Sequence, residues 1–259
     1  MSSATLLERV RFRNLNIYCI KNDTTITPTI KQGRVWESWM EIFISHFYIP
    51  NTDILDIGAN IGATTFQQLL KYKSNRNIVH LFEPYFGDII EKTINENKLQ
   101  NHVKLYKYAV SNKNKVLDIQ PPNLSVNDNF GGYSINKNEV LDKGNYNCFA
   151  LDHFKFKNIS LIKMDVENHE LLAMHGMRQT LLANCPTILL EQWSKSKGWI
   201  YKKMREDSDF CQKLMLNYLD VTHYLEQLGY ICYHIKGDDY LYVHKSKKTL
   251  LATFIQKYL

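Results

Sequence analysis

The chain has 259 residues, 44% of them hydrophobic and 22% charged, with 11 glycines and 6 prolines; these proportions suit a packed α/β protein and exclude collagen-like or disordered chains. Its formal charge of +6 is too mild a bias to point to nucleic acid. Met1 to Val10 lacks an unbroken apolar stretch and no run approaches 18 apolar residues, so neither a signal peptide nor a membrane partner is expected.

Residues 1–50 read as an N-terminal extension packing on a core formed by 51–259. Asp53 to Ile57 is a short apolar strand, Gly58 begins a turn, and Phe66, Leu69 and Leu70 follow at helical spacing. The cycle repeats with a strand over Asn77 to Glu83, a helix face of Phe86, Ile89, Ile90 and Ile94, and a strand over His102 to Tyr108. An Asn-rich stretch from Pro121 to Asn147, broken by Pro121-Pro122 and Gly131-Gly132, reads as a loop or hairpin insertion. Ile159 to Val166 is again a strand, His169 to Asn184 a helix and Thr187 to Trp193 a strand. Ser208 and Gly229 bracket a helix over 208–228, and residues 230–235 and 240–244 flank Gly237-Asp238 as a hairpin.

Strands alternating with helices predict a mostly parallel, Rossmann-like sheet of seven strands with helices on both faces, closed by a C-terminal antiparallel hairpin. That ending separates the methyltransferase version of the sheet from the dehydrogenase version, which continues parallel. The scattered cysteines Cys19, Cys148, Cys185, Cys211 and Cys232 form no Cys-x-x-Cys pair and fit reduced core residues in a cytoplasmic protein.

The turn Asp56-Ile57-Gly58-Ala59-Asn60-Ile61-Gly62 lies where open α/β sheets bind ligands. Asn60 occupies the position where a dinucleotide fingerprint needs glycine for the pyrophosphate, which argues against NAD. Glu83, about 20 residues on, suits the two ribose hydroxyls of an adenosine. S-adenosylmethionine needs that grip but has no pyrophosphate, and Asp56 is placed to meet its ammonium.

On the fourth core strand Lys163, Asp165 and Glu167 alternate with Ile162, Met164 and Val166, which would put three charges on one side. Asp165, Glu167, His169 and, from the next strand, Glu191 converge on the expected methyl acceptor. His169 is the first choice of base and Asp165 the second. Lys163 reads as a buried ionic link to Asp165 or Glu191. Whether Asp165, Glu167 and Glu191 hold a divalent ion is undecided by spacing.

With these residues in view, the chain resembles the FkbM-type methyltransferases, class I enzymes dependent on S-adenosylmethionine that act mostly on hydroxyls of sugars and natural products. The matching pieces, in order, are Trp36-Glu37, Asp56 to Gly62, Phe82-Glu83-Pro84, Ala109-Val110-Ser111, Leu151-Asp152, Lys163 to Glu167, His169-Glu170 and Leu190-Glu191. Asn168 departs from the glycine usual in that family, although asparagine tolerates the left-handed backbone of such a turn. The resemblance implies that Asp56, Gly58, Asn60, Gly62 and Glu83 hold the cofactor, with Ala109 beneath the adenine. It implies O-methylation of a small-molecule or glycan acceptor. The alternative is an RNA ribose 2'-O-methyltransferase, kept open by the aromatic and lysine-rich stretch Trp193 to Lys203.

Overall fold

The computed structural model describes residues 6–74, 76–135, 145–192 and 220–258. The stretch 193–203 and residues 208–219 of the expected helix lie outside them.

The chain opens with an antiparallel hairpin, β1 (Leu7–Phe12) and β2 (Leu15–Ile20), then α1 (Ile26–Lys31) and α2 (Met40–Phe47). The repeating cycle follows: β3 (Asp53–Ile57), α3 (Ala63–Gln67), β4 (Val79–Phe82), α4 (Gly87–Glu96) and β5 (Val103–Tyr106). Three short strands come next, β6 (Ala109–Val110), β7 (Lys115–Leu117) and β8 (Tyr146–Phe149). The cycle resumes with β9 (Ile159–Met164), α5 (Glu170–Gly176), α6 (Arg178–Asn184) and β10 (Thr187–Glu191). A helical segment over 220–227, α7, leads into β11 (Tyr230–Lys236), β12 (Asp239–His244) and α8 (Lys248–Tyr258).

Seven strands form the main sheet in the order β11-β12-β10-β9-β3-β4-β5. Within it β3, β4, β5, β9 and β10 pair in parallel, and β12 runs antiparallel to both β10 and β11. This is the expected mostly parallel sheet with its closing hairpin. The two-residue loop Gly237-Asp238 reverses the chain, with Gly237 at φ +52°.

Both faces of the sheet are covered, which is why its strands are apolar almost throughout. On β3 the neighbours Ile54 and Leu55 are both fully buried but join different clusters. Ile54, Val79, Leu161 and Leu189 pack with side chains of α2, α3, α4 and α8. Leu55, Ile57, Ile162 and Ile188 pack with those of α5, α6 and α7. No helix among the described residues is long and apolar enough to cross a membrane.

Several details depart from the sequence expectation. The N-terminal segment is a hairpin followed by two helices, and it docks on α4 through polar contacts: the Tyr18 amide donates to Thr93 Oγ1 at 3.0 Å and the Asn16 amide to Asn97 Oδ1 at 2.9 Å. The insertion contributes β8 to a three-stranded sheet in the order β6-β8-β7. Helix 169–184 is two helices, because Met177 leaves helical geometry at φ −122°, ψ 20°. Asp152 makes the break tolerable. Its carboxylate accepts the amides of Gln179 and Thr180 and the Thr180 hydroxyl, each at 2.8 Å, so the opening turn of α6 has its free N–H groups satisfied.

Asp152→Ala removes the acceptors of all three hydrogen bonds and is expected to cost about 1–2 kcal/mol of stability in urea unfolding. The site lies elsewhere, so ligand affinity should not change. A loss below measurement error would show that the cap carries no weight.

Candidate active site

The turn after β3 is forced into shape by what surrounds it. Gly58 has φ +77°, and a Cβ there would lie 1.7 Å from the carbonyl oxygen of Asp165; no side chain fits. The Asp165 amide donates to the Ile57 carbonyl at 2.9 Å, which pins the ends of β3 and β9 together. Gly62, at φ +80°, opens α3, where a Cβ would meet the Phe66 ring at 2.4 Å. Asn60 takes a left-handed φ of +54°, a conformation that asparagine tolerates. Its Nδ2 donates to the Phe130 carbonyl at 2.7 Å and its Oδ1 accepts the Ile61 amide at 2.8 Å. The insertion is thereby tied to the glycine turn.

Glu83 follows β4 and is almost fully buried. Its Oε1 accepts the Tyr85 and Phe86 amides at 2.8 and 3.1 Å, and its Oε2 accepts the Asn60 amide at 2.9 Å. A carboxylate offers about four lone-pair sites, so Oε2 retains acceptor capacity. Burial pushes its pKa up to about 7 despite these three hydrogen bonds.

These groups wall a cavity of about 170 Å³ that is open to solvent on one side. Its lining includes Gly58, Ala59, Asn60, Glu83, Tyr108 and Ala109 together with Glu37, Lys163, Asp165, Glu167 and Glu191. Phe130 to Tyr133 of the insertion complete the wall.

Lys163 is the cation at the centre of the acidic side. Buried on β9, its Nζ donates to the Gly58 carbonyl and pairs with Asp165 Oδ2, both at 3.3 Å, which is the expected ionic link. Glu167 and Asn168 continue with left-handed φ values of +51° and +71°, so the turn keeps the geometry expected despite the missing glycine. Glu191 lies in register opposite Asp239 of β12, two like charges across an antiparallel pair.

Crowding of carboxylates raises their pKa values. Glu191 is pushed up to about 10, first by Asp165 and then by burial, Glu167, Glu37 and Asp239. Burial, reinforced by Asp165 and Glu170, takes Glu167 to about 8. Burial takes Glu37 to about 7, with Lys163 opposing and Asp165 and Asp239 adding. Asp239 rises to about 6, again chiefly through burial.

Not every expected site residue reaches the cavity. Gly58, Asn60, Glu83, Ala109, Asp165, Glu167 and Glu191 line it; Asp56, Gly62 and His169 do not. Asp56 is fully buried, accepts the Thr65 hydroxyl on Oδ2, and sits beside Lys163 in the β3/β9 register. Burial raises its pKa, with Lys163 and Thr65 opposing. His169 is buried just before α5, its Nε2 2.9 Å from Ser111 Oγ. Burial, with the charge of Lys115 adding, lowers its pKa to about 4.

Two acidic residues were missed. Glu37 stands in the Trp36-Glu37 match, yet nothing nearby in sequence ties it to the sheet. Gln68 does so, donating from Nε2 to the carbonyls of Trp36 and Glu37, while Gln67 Oε1 accepts the Trp36 amide at 2.7 Å. Asp239 opens β12, and its place across from Glu191 comes from the pairing of β12 with β10, which the hairpin turn by itself does not fix.

A family model for the methyltransferase FkbM domain matches residues 56–232. The solved structure of methyltransferase FkbM from Methylobacillus flagellatus KT is similar, at 16% identity over 76% of this chain and 44% of its own, with a TM-score of 0.47. The chain thus spans under half the length of that protein. A SAM-dependent methyltransferase from Aquifex aeolicus is 14% identical over 85% of this chain and 98% of its own, with a TM-score of 0.44. No curated protein matches the chain.

Carboxyls whose pKa rises on folding hold protons that the unfolded chain has already released. Their contribution to stability is intact below the ordinary carboxylate range and is lost as pH climbs through about 7 for Glu37, about 8 for Glu167 and about 10 for Glu191. In chelator, thermal unfolding should therefore show lower stability at pH 9 than at pH 6, and Glu191→Gln should flatten the slope. Stability that rises over this interval contradicts the electrostatics described.

Proposed function

Because this chain belongs to the methyltransferase FkbM family, we propose that it moves a methyl group from S-adenosylmethionine to a hydroxyl of a sugar, glycan or other small molecule. The observation that carries this reading is that the glycine turn, Glu83 and Ala109 line the same cavity as Asp165, Glu167 and Glu191.

The residues present fit the donor. Glu83 Oε2 has spare capacity for a ribose hydroxyl, Ala109 offers a small flat floor for an adenine, and the acidic wall suits a cationic nucleoside. S-adenosylmethionine, when bound, supplies a methyl group made electrophilic by its sulfonium. Asp56 and Gly62 support the turn from behind and the Lys163–Asp165 pair holds the acidic wall in place.

An aliphatic hydroxyl is a weak nucleophile, so the chain must take its proton. Glu167 suits that task better than His169. It lines the cavity, makes no ion pair among the described residues, and its pKa of about 8 lies near the working range of a general base. The phenol-rich flank of Tyr108 and Tyr133 with Phe130 gives a sugar ring apolar and hydrogen-bonding surface and shields the site from water.

An RNA acceptor is the weaker reading, since the lining offers phosphates one lysine, Lys163, which is already bonded to Gly58 and Asp165. Release of S-adenosylhomocysteine in a panel of deoxysugars, glycans and small hydroxylated molecules tests the reading; silence across the panel with turnover on RNA reverses the order.

In calorimetry, Glu83→Gln is expected to weaken S-adenosylhomocysteine binding at least tenfold, by roughly 1.4 kcal/mol, and unchanged affinity removes Glu83 from the ribose role. With an acceptor found by the panel, Glu167→Gln should lower turnover by about 10²–10⁴ at unchanged affinity for the nucleoside. His169→Asn should leave turnover near the wild-type rate. A comparable fall at His169 would return the base role to it.

A further inference from the structure

Beyond the donor site, a second feature of the cavity has the composition of a cation cradle. Glu37 from the N-terminal segment, Glu191 at the end of β10 and Asp239 at the start of β12 each offer a carboxylate oxygen, and these oxygens lie within 4.8 Å of one another. Three separated parts of the chain bring them together. None of the three makes an ion pair among the described residues. Glu37 Oε2 is buried to less than 1 Å² of exposure and has no hydrogen-bond partner among the described residues, a costly arrangement for an acceptor with nothing to accept.

The nearby ammonium groups are already engaged. Lys163 is bonded to Gly58 and Asp165, and Lys236 lies over the Trp39 ring, 4.6 Å from its centroid. Asp165 and Glu167 add further negative charge from the same wall. Oxygens on one hard cation lie about 2.3–2.6 Å from it, so carboxylate oxygens already within 4.8 Å of one another need only small side-chain rotations to share an ion.

We propose that Glu37, Glu191 and Asp239 form a site for one hard divalent cation of the magnesium, manganese or calcium class. An all-carboxylate set selects such ions over zinc or copper, which favour nitrogen and sulfur. Three protein oxygens leave coordination positions for water or for hydroxyls of an acceptor in the adjoining cavity. The inference stands on the chain's own carboxylates and does not depend on the identity of the acceptor.

Titration of the full, metal-stripped chain with Mn²⁺, followed by the loss of the free-ion paramagnetic resonance signal, tests it. The expected result is saturable binding of one ion per chain, weakened at least tenfold by Glu37→Gln and by Asp239→Asn and unaltered by Asp88→Asn at an exposed acid. In chelator, Asp239→Asn should melt above the wild-type chain because it relieves repulsion, and Mn²⁺ should raise the melting temperature of the wild type alone. Folded wild-type chain without saturable Mn²⁺ binding overturns the site, as does a triple variant that binds like the wild type. S-adenosylhomocysteine binding, measured on the same samples, keeps the two readings apart: its presence without Mn²⁺ binding overturns the cation site alone, and its absence counts against the donor site alone.

Discussion

The structure depends on one close approach, where the backbone after β3 meets the backbone after β9. Gly58 lies so near the Asp165 carbonyl that any side chain is excluded, and Lys163 bridges the same two segments through Gly58 O and Asp165 Oδ2. A turn shaped for a nucleoside and a strand end carrying acids therefore share one cavity.

That closeness has an electrostatic consequence. Lys163 is one buried cation among the carboxylates of Asp56, Asp165, Glu37 and Glu191, all of which raise its pKa against the effect of burial. It cannot neutralise them all, so the remaining acids take up protons or attract cations. This is a physical reason for a positively charged methyl donor to be drawn to such a wall. The N-terminal segment and the hairpin both reach this wall, since carboxylate oxygens of Glu37 and Asp239 lie within 4.8 Å of one on Glu191.

Much of the architecture was legible in the sequence because both faces of the sheet are buried. That burial makes β3, β9 and β10 continuous apolar runs, and the glycines that punctuate them mark the turns. The family match extends this to residues 56–232. The glycine turn, Glu83, Asp165, Glu167 and Glu191 were readable because each ends a strand of the parallel sheet, and such ends point to one edge. Glu37 and Asp239 were not, since their places come from the clamp by Gln67 and Gln68 and from cross-strand register. His169 stands two residues after Glu167, which suggests a shared cavity, but after the left-handed turn at Glu167 and Asn168 its ring lies 2.9 Å from Ser111 Oγ and outside the lining. The split between α5 and α6 was hidden because its cap, Asp152, lies far from it in sequence.

A crystal structure of the chain with S-adenosylhomocysteine tests the central claim most directly. The account predicts the nucleoside in the cavity between the Gly58 turn and the end of β9, with a ribose hydroxyl on Glu83 and the sulfur facing Asp165 and Glu167. A nucleoside bound elsewhere, or one whose sulfur points away from those carboxylates, would contradict it.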